Sequence, residues 1–501
     1  MRRAAFHLER ALLIAASMAA ISCRDGEVTR EASRGPQPPA QAAGGAPNTA
    51  ALQKALDTLA SAIEKLGGQL GGAVVSVPSG ETLAEHDGRH AFNPASNAKL
   101  FTAAVALARL GPDHRFSTGL YGALRDGVAT KLVLRGRGDP TLTTSDLRAL
   151  VARAKVAGLR AVDSIVVDQS YYQGDADPPA YDQQPGEWAP FRAPIAAVSL
   201  DRNTVTVWFT PAEKPGRPAT VVVEPPGFVD LDGSVTTGKA GSKETIKLEV
   251  QPNGDHLRAT LSGSIPADSS PIPGIRRVAD PSVLAGYALR AALAEQGIVV
   301  KGAVSVAKTP TPETQALAVH RSEPLAQILA AMGKDSDNFT AELVLLAIGA
   351  DAASTSSAAG AQVVEAFLRE RAAFDDGSRV LNGSGLFDAN RTTAHSVSAL
   401  LANVARDPKI GPELLSSLAI AGADGTLRGR LLDWGPSRRI RAKTGTLAGA
   451  VALSGYVLDA NEGTPLIAFS LLVNGVTGKT QETRNAFDSA VTAIAAATQT
   501  Q

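Results

Sequence analysis

The chain of 501 residues contains a single cysteine, Cys23, which excludes a disulfide within one chain and a zinc site built from thiolates. Aromatic residues make up only 4% of the sequence, which argues against a stacking platform for nucleic-acid bases or an aromatic sugar-binding cleft. Basic and acidic residues balance at 49 each and are scattered, so we expect no nucleic-acid partner. The fold must therefore rest on core packing, and the length predicts two or three domains.

Histidines are few and dispersed, so the sequence predicts no metal centre. The nearest pair, His86 and His90, flanks a predicted turn and does not share a helix face, and the sequence contains no H-E-x-x-H. It also contains no G-x-S-x-G, which argues against an α/β-hydrolase. We expect neither a metal nor a cofactor.

No apolar run near the N-terminus is long enough to cross a bilayer, and the run from Ala11 to Ile21 predicts an export signal. It follows two arginines, so residues 1–22 are typical of a signal peptide. Ala20-Ile21-Ser22-Cys23 resembles a lipobox, which favours a periplasmic lipoprotein held at a membrane only through a lipid on Cys23. The alternative is an ordinary secreted protein whose signal is cut after a nearby small residue.

A serine and a lysine three positions apart form the first candidate catalytic pair. Ser96 and Lys99 follow Asn93-Pro94 and open an apolar segment that ends at Gly111-Pro112, a pattern that predicts a helix. Positions three apart share a helix face, so Lys99 can reach the Ser96 hydroxyl. Ser96 is the predicted nucleophile and Lys99 the base that activates it, with a structural cation as the alternative role for Lys99.

A second S-x-x-K occurs at Ser305 and Lys308, in a segment that predicts two strands around a Lys-Gly turn. Residues three apart on a strand point to opposite faces, so this pair could not cooperate. The local structure therefore selects Ser96.

A hydroxyl and an amide follow in Ser336-Asp337-Asn338. Ser336 is predicted to relay the proton to the leaving amine, and Asn338 to bind the substrate's amide backbone and to steady Lys99. The same residues fit an N-cap of the apolar helix that begins at Phe339, and both interpretations can hold at once. Asp337 is expected to be structural.

The third motif, Lys443-Thr444-Gly445-Thr446, precedes an apolar strand. The Lys443 cation and the two threonine hydroxyls could hold a substrate carboxylate. Gly445 would leave room for the approaching substrate. The backbone N–H groups of Thr446 and Ser96 could form an oxyanion hole.

The two ends of the chain resemble each other and differ from its middle. A predicted helix and hairpin near residues 52–84 match two strands and a helix after residue 449, so we expect these ends to form one sheet around an inserted excursion. The predicted organisation is a signal peptide (1–22), a disordered tether (23–50), a first catalytic part (51–115), an inserted β-rich segment (116–275) and a second catalytic part (276–501).

The three motifs, in this order, resemble the low-molecular-mass class C penicillin-binding proteins, the serine D-Ala-D-Ala carboxypeptidase/endopeptidase family. Ser96 and Ser336 lie 240 positions apart, and a large insertion between these motifs is typical of that family. The resemblance covers about residues 52–498. It extends to four further stretches: Gly138–Leu142, Ser199–Asn203, Gly383–Leu386 and Ala421–Leu427.

The resemblance implies a multidomain α+β fold of the penicillin-binding/serine β-lactamase-like type. It consists of an antiparallel sheet with flanking helices and an all-helical part, here with a large β-rich insertion. It also implies hydrolysis of peptidoglycan stem peptides through an acyl-enzyme, with β-lactams as inhibitors and D,D-endopeptidase activity as a further expectation. The alternatives are a β-lactamase or esterase on the same scaffold, or a non-catalytic cell-wall-binding lipoprotein.

Overall fold

The computed structural model describes residues 47–312, 315–350 and 355–498; the predicted signal peptide, Cys23 and nearly all of the predicted tether lie outside them. In the described residues the α-helices are α1 (Thr49–Lys65), α2 (Ala98–Leu110), α3 (Thr144–Val156), α4 (Leu284–Glu295), α5 (Leu325–Asp335), α6 (Asn338–Ile348), α7 (Ser357–Glu370), α8 (Ala394–Ala405), α9 (Gly411–Ser417) and α10 (Thr480–Ala496). None of these helices combines the length and the apolar composition that a bilayer-spanning segment needs.

The strands of the same residues form one large sheet and several smaller ones. They are β1 (Gln69–Ser76), β2 (Thr82–His86), β3 (Ala91–Phe92), β4 (Ser117–Tyr121), β5 (Leu124–Arg125), β6 (Val128–Ala129), β7 (Leu132–Gly136), β8 (Ala161–Val162), β9 (Ile165–Asp168), β10 (Thr204–Thr210), β11 (Thr220–Glu224), β12 (Val229–Gly233), β13 (Thr236–Gly238), β14 (Lys247–Asn253), β15 (His256–Ser262), β16 (Ser264–Pro266), β17 (Ile272–Arg277), β18 (Val299–Val300), β19 (Val304–Ala307), β20 (Ala316–Arg321), β21 (Thr392–Thr393), β22 (Ala419–Ile420), β23 (Ile440–Leu447), β24 (Ala450–Leu458) and β25 (Pro465–Asn474).

The largest sheet joins the two ends of the chain, as the sequence predicted. Its order is β2-β1-β25-β24-β23-β22, and every neighbouring pair is antiparallel. The N-terminal β1 pairs along its whole length with the C-terminal β25. All nine positions of β24 are buried, because helices cover both faces of the sheet.

One face of this sheet is covered by α1 and α10. The buried stripe of α1 includes Leu52, Leu56, Leu59 and Ile63, spaced three to four residues apart as an amphipathic helix requires. These side chains share an apolar cluster with Phe469 of β25. The Asn48 side chain caps α1 by accepting a hydrogen bond from Ala51 N at 3.0 Å.

The opposite face carries an all-helical part with α2 at its centre. All ten residues from Ala98 to Leu107 are buried, since this helix is apolar on every side and is surrounded by other helices. Lys99 is the one ionisable residue of that stretch. The packing of α2 therefore carries an amine into the protein interior.

The middle of the chain forms the predicted β-rich insertion. A five-stranded sheet, β19-β9-β7-β4-β20, packs against α3 and α4. Further small sheets are built from β10 to β17. The helix α3 in this part begins with a capping box formed by Thr143 and Asp146.

Two details of the insertion differ from the sequence-based expectation. β4 pairs with β20, so the strands of this sheet continue to Arg321, past the predicted boundary at residue 275. The two strands expected around the Lys-Gly turn in the segment 297–306 are present as β18 and β19, but they do not pair with each other: β18 pairs with β8 and β19 with β9, each in parallel. Both strands pair with partners more than 130 residues away instead of with each other. A local sequence pattern cannot indicate such distant partners.

The core of the terminal sheet supplies a test of stability. Phe469 is fully buried, so Phe469→Ala should lower the apparent free energy of unfolding by about 3–5 kcal/mol through lost burial and a residual cavity. Leu432 is 63% exposed, so Leu432→Ala should change that free energy by less than about 0.5 kcal/mol. Chemical denaturation followed by circular dichroism measures both. Equal losses in the two variants would contradict this placement of the core.

Candidate active site

Ser96 lies at the centre of a 3₁₀ turn, Ala95–Asn97, that leads directly into α2. The preceding Ala95 has a φ of +47°, and the Asn93 side chain holds this left-handed residue by accepting a hydrogen bond from its N–H at 2.9 Å. Gly385, from a distant segment, packs directly against this turn. Only a glycine fits there, because a Cβ would lie 1.8 Å from Ala95 O. Tertiary contacts thus fix the position of the serine.

The Lys99 amine joins three separate segments of the chain. Its Nζ lies 3.0 Å from Ser96 Oγ, 2.8 Å from Asn338 Oδ1 and 2.7 Å from the carbonyl oxygen of Ser384. The lysine is 1% exposed. The predicted contact between Lys99 and Ser96 is present, and so is the predicted contact between Lys99 and Asn338.

Burial lowers the pKa of Lys99 from its usual 10.5 to about 7, and the carboxylate of Glu342 opposes that shift. Burial is the dominant effect on this pKa. The pKa of Lys443 itself is lowered well below its usual value, first by burial and then by the charge of Lys99. At neutral pH the Lys99 amine is therefore free of its proton for a substantial part of the time.

The second motif lies where α5 ends and α6 begins. Ser336 adopts a left-handed φ of +59°, and its Oγ accepts a hydrogen bond from Lys443 Nζ at 2.8 Å. Asp337 caps α6 by accepting from Thr340 N at 2.6 Å, which confirms the predicted N-cap and the structural role of this aspartate. The Asp337 carboxylate also forms an ion pair with Arg202 of the insertion.

The third motif occupies β23 at the edge of the same cleft. Lys443 is 1% exposed and donates a second hydrogen bond, at 2.8 Å, to Thr444 O. That Gly445 leaves room for substrate stays a prediction, and the structure gives a further reason for a glycine here. A Cβ at this buried glycine would lie 2.9 Å from Pro94 O and 3.1 Å from Ala95 Cβ, so the glycine lets β23 approach the serine turn.

Asn97 fastens the serine turn to the third motif, and the sequence-based argument gave it no role. With its amide nitrogen facing β23, it donates to Lys443 O at 2.9 Å and accepts from Ser454 Oγ at 2.6 Å. Its side chain is fully buried. The asparagine inside the S-x-x-K sequence therefore sets the distance between the two motifs.

The predicted motif residues meet in one cleft. A cavity of about 650 Å³ is lined by Ser96, Ser336, Asn338 and Thr446, and an adjoining one of about 310 Å³ by Ser96, Ser336, Thr444 and Thr446. Lys99 and Lys443 lie beneath these hydroxyls. Cys23, the predicted lipidation site, lies outside the described residues.

Two groups that the sequence-based argument missed hold this cleft in shape. Glu342 of α6 is fully buried and accepts hydrogen bonds from Gly383 N at 3.0 Å and Ser384 N at 2.9 Å, and burial raises the pKa of its carboxyl group. The sequence did contain an indication of this role, because Glu342 is the one charged residue in the apolar segment of α6. The carbonyl of Phe191 in the insertion accepts from Asn338 Nδ2 at 3.0 Å, and no local pattern points to it.

Comparisons with known proteins give this cleft a family. The D-Ala-D-Ala carboxypeptidase 3 (S13) family profile matches residues 52–497. The chain is 36% identical over 434 residues to a D-alanyl-D-alanine carboxypeptidase of Actinomadura sp. (strain R39), covering 81% of this chain and 78% of that relative. It is 26% identical over 423 residues to the D-alanyl-D-alanine carboxypeptidase DacB of Haemophilus influenzae, covering 82% of this chain and 86% of the relative.

The fold agrees with the sequence matches. The crystal structure of penicillin binding protein 4 (dacB) from Haemophilus influenzae superposes with a TM-score of 0.71 at 25% identity, over 86% of this chain and 98% of that one. This agreement confirms the expected α+β fold of the penicillin-binding type. Because the family match spans nearly the whole described chain and the motif residues meet in one cleft, the chain belongs to the S13 family and is a serine-type D-Ala-D-Ala carboxypeptidase.

Proposed function

We propose that Ser96 is the nucleophile of an acyl-enzyme mechanism and that Lys99 is its general base. The observation that carries this proposal is the set of three contacts around Lys99 Nζ. A neutral amine has two hydrogens and one lone pair. The amide oxygen of Asn338 and the carbonyl of Ser384 accept the two hydrogens, so the lone pair is left for the hydroxyl proton of Ser96.

Attack by Ser96 Oγ on the carbonyl carbon of the penultimate D-Ala then forms a tetrahedral intermediate, with the serine proton on Lys99. The N–H groups of Ser96 and Thr446 would hold the oxyanion, a contribution of about 3–4 kcal/mol for each donor. The structural-cation alternative for Lys99 is disfavoured by its lowered pKa of about 7.

Ser336 delivers the proton to the leaving amine. Because its oxygen accepts a hydrogen bond from Lys443, its own hydrogen stays free to be donated, and the proton that leaves is replaced from Lys443. The leaving D-Ala departs as the acyl-enzyme forms. The ammonium of Lys99 passes the serine proton on to the Lys443 amine, which lost its own, so both groups regain their starting states. Water then attacks the ester and gives a proton to the neutral Lys99, which returns it to Ser96 Oγ as the shortened peptide is released.

The remaining motif residues bind the substrate. Asn338 donates one amide hydrogen to Phe191 O and keeps the other for the substrate backbone. The terminal carboxylate of the substrate lies near Thr444, Thr446 and Lys443, with Gly445 between them. A bound carboxylate favours the protonated form of Lys443 and so opposes the effect of burial on its pKa.

The biological substrates are stem peptides of peptidoglycan, and β-lactams acylate the same serine; a related solved structure is described as complexed with a β-lactam. Export by the signal peptide places the enzyme in the periplasm, with a lipid on Cys23 as its membrane anchor. A digest of purified muropeptides tests the proposal: release of D-Ala supports the carboxypeptidase, and broken cross-links add an endopeptidase. Rapid nitrocefin turnover without D-Ala release would instead indicate a β-lactamase.

The two S-x-x-K sequences provide a matched pair of variants. Ser96→Ala should abolish covalent labelling by a fluorescent penicillin, because it removes the attacking oxygen. Ser305→Ala should label like the wild type, since Ser305 lies on β19 and is exposed. Gel fluorescence after denaturation measures both, and persistent labelling of Ser96→Ala would refute the nucleophile.

The acylation rate should rise with pH through a midpoint near 7. Below the pKa of Lys99, about 7, the amine is protonated and cannot accept the serine proton, so each pH unit should cost about tenfold in rate. Stopped-flow acylation by a chromogenic cephalosporin from about pH 5 to 8 measures this profile. A flat profile over that range would exclude Lys99 as the base.

Glu342→Gln should move that midpoint to lower pH. The Glu342 carboxylate raises the pKa of Lys99, so removing its charge lowers this pKa further. Glutamine also leaves one of the two backbone N–H groups without an acceptor, which should cost about 1–3 kcal/mol of stability.

Glu365→Gln is the matched control for this change. Glu365 also accepts a hydrogen bond from a backbone N–H, that of Val380 at 2.9 Å, but it lies outside the cleft. Glutamine keeps the one oxygen that Val380 N needs, so this variant should change neither the midpoint nor the stability substantially. If both variants shift the midpoint equally, the effect of Glu342 is structural only.

A further inference from the structure

A further cavity opens beside the catalytic cleft, between the insertion and the helical part. Its volume is about 920 Å³, and it meets the catalytic cleft at Phe191, Ser336 and Asn338, which line both. Its helical wall includes Ile328 and Met332 of α5. None of the steps proposed above takes place in this cavity.

The opposite wall belongs to the three-stranded sheet β11-β10-β17 of the insertion. Thr206 of β10 lines the cavity with its two cross-strand partners, Glu224 of β11 and Ile275 of β17. Residues directly opposite each other in antiparallel strands point to the same face, so these three side chains form one row. The same face of the sheet therefore continues beyond the cavity as an outer surface.

A tryptophan lies at the centre of the next row. Trp208 follows Thr206 by two positions, so it lies on the same face and about 7 Å further along β10. It is partly exposed, and its cross-strand partners are Val222, which is 52% exposed, and Pro273, which is also exposed. Among the residues that the structure describes, none accepts a hydrogen bond from the indole N–H of Trp208. This row is an exposed apolar surface with an aromatic ring in its middle.

The charge of the cavity favours a ligand without negative charge. Its two arginines are already paired, Arg202 with Asp337 and Arg148 with Glu295. The lining also includes three carboxylates that, in the described part of the chain, form no ion pair: Asp201, Glu224 and Asp335. Unpaired carboxylates accept hydrogen bonds from hydroxyl and amide groups and repel anions.

We propose that this cavity and the Trp208 row bind the glycan strand of peptidoglycan, so that the enzyme acts faster on stem peptides attached to sugar than on free peptides. The inference rests on the proposed function, because the sugar reaches this surface only when a stem peptide linked to it occupies the cleft of Ser96. A sugar ring has an apolar face that can stack on an indole. Its rim of hydroxyl and N-acetyl groups donates hydrogen bonds to carboxylates and carries no charge.

Length and charge together select the glycan over other occupants. A stem peptide with four residues between the cleaved bond and the sugar spans at most about 14 Å. The sugar therefore lies at the edge of the catalytic cleft, where this cavity begins at Ser336 and Asn338. An anionic lipid surface or an acidic peptide would meet the unpaired carboxylates. The low aromatic content of the chain argued against an aromatic sugar-binding cleft, but one ring between two aliphatic neighbours is enough on an exposed sheet face.

The test compares D-Ala release from the same pentapeptide in two forms, one free and one attached to short, uncross-linked glycan strands. The quantity is the ratio of kcat/KM for the glycan-linked peptide to kcat/KM for the free peptide. The wild-type ratio should exceed one, and in Trp208→Ala it should fall about 3- to 10-fold, the range of one aromatic stacking contact. Trp208→Phe should keep most of the ratio, because it keeps a ring. The ratio should change little between about 0.05 and 0.5 M salt, since the sugar is uncharged.

Val299→Ala is the matched control, a 62% exposed side chain of the insertion outside this cavity, and its ratio should equal that of the wild type. An unchanged ratio in Trp208→Ala, or a wild-type ratio of one, would overturn the glycan site and leave the proposed function standing. A ratio that falls steeply with salt would show that a charged partner binds here and would also refute the inference. If the wild type releases no D-Ala from the free peptide, the proposed function itself fails. Should Trp208→Ala melt early, Val222→Ser decides, since an unchanged ratio there contradicts the glycan site equally.

Discussion

The burial of one lysine amine organises the catalytic cleft. Lys99 reaches the interior because α2 is apolar on all sides and lies at the centre of the helical part. An amine in that position needs hydrogen-bond partners, and it finds them on the serine turn, on α6 and on the loop before Gly385. The same burial that demands these contacts lowers its pKa toward neutrality. Architecture and reactivity thus have one physical cause.

The insertion is part of the site as well as an excursion from the fold. The Phe191 carbonyl orients the Asn338 amide, and Arg202 pairs with the aspartate that caps α6. Three consecutive residues around that arginine, Asp201 to Asn203, adopt positive φ values, a conformation that tertiary contacts must hold in place. The solved structure at a TM-score of 0.71 matches 86% of this chain, so the likeness extends into this segment.

Charge in the cleft is distributed so that each ionisable group depends on another. The charge of Lys99 lowers the pKa of Lys443. The carboxylate of Glu342 raises the pKa of Lys99 and so opposes the effect of burial. In the proposed mechanism, a bound substrate carboxylate supplies an anion beside Lys443. Substrate binding and the protonation of the catalytic groups are for this reason coupled.

The sequence by itself determined the residue types and the local elements. Motif order and helix periodicity pointed to Ser96, Lys99, Ser336, Asn338 and Lys443, and the apolar segments of β24 and β25 indicated two strands of the sheet that joins the chain ends. Strand context also separated the second S-x-x-K at Ser305 from the first. These features depend on neighbours within about four positions, which a local pattern contains.

Only the tertiary structure decided the contacts between distant segments. The left-handed Ala95, the clearance at Gly445 and the bridge through Asn97 all depend on close contact between segments hundreds of residues apart. The partners of β18 and β19 follow the same rule. A local pattern specifies which face a residue occupies, whereas packing of the whole chain specifies what lies opposite that face.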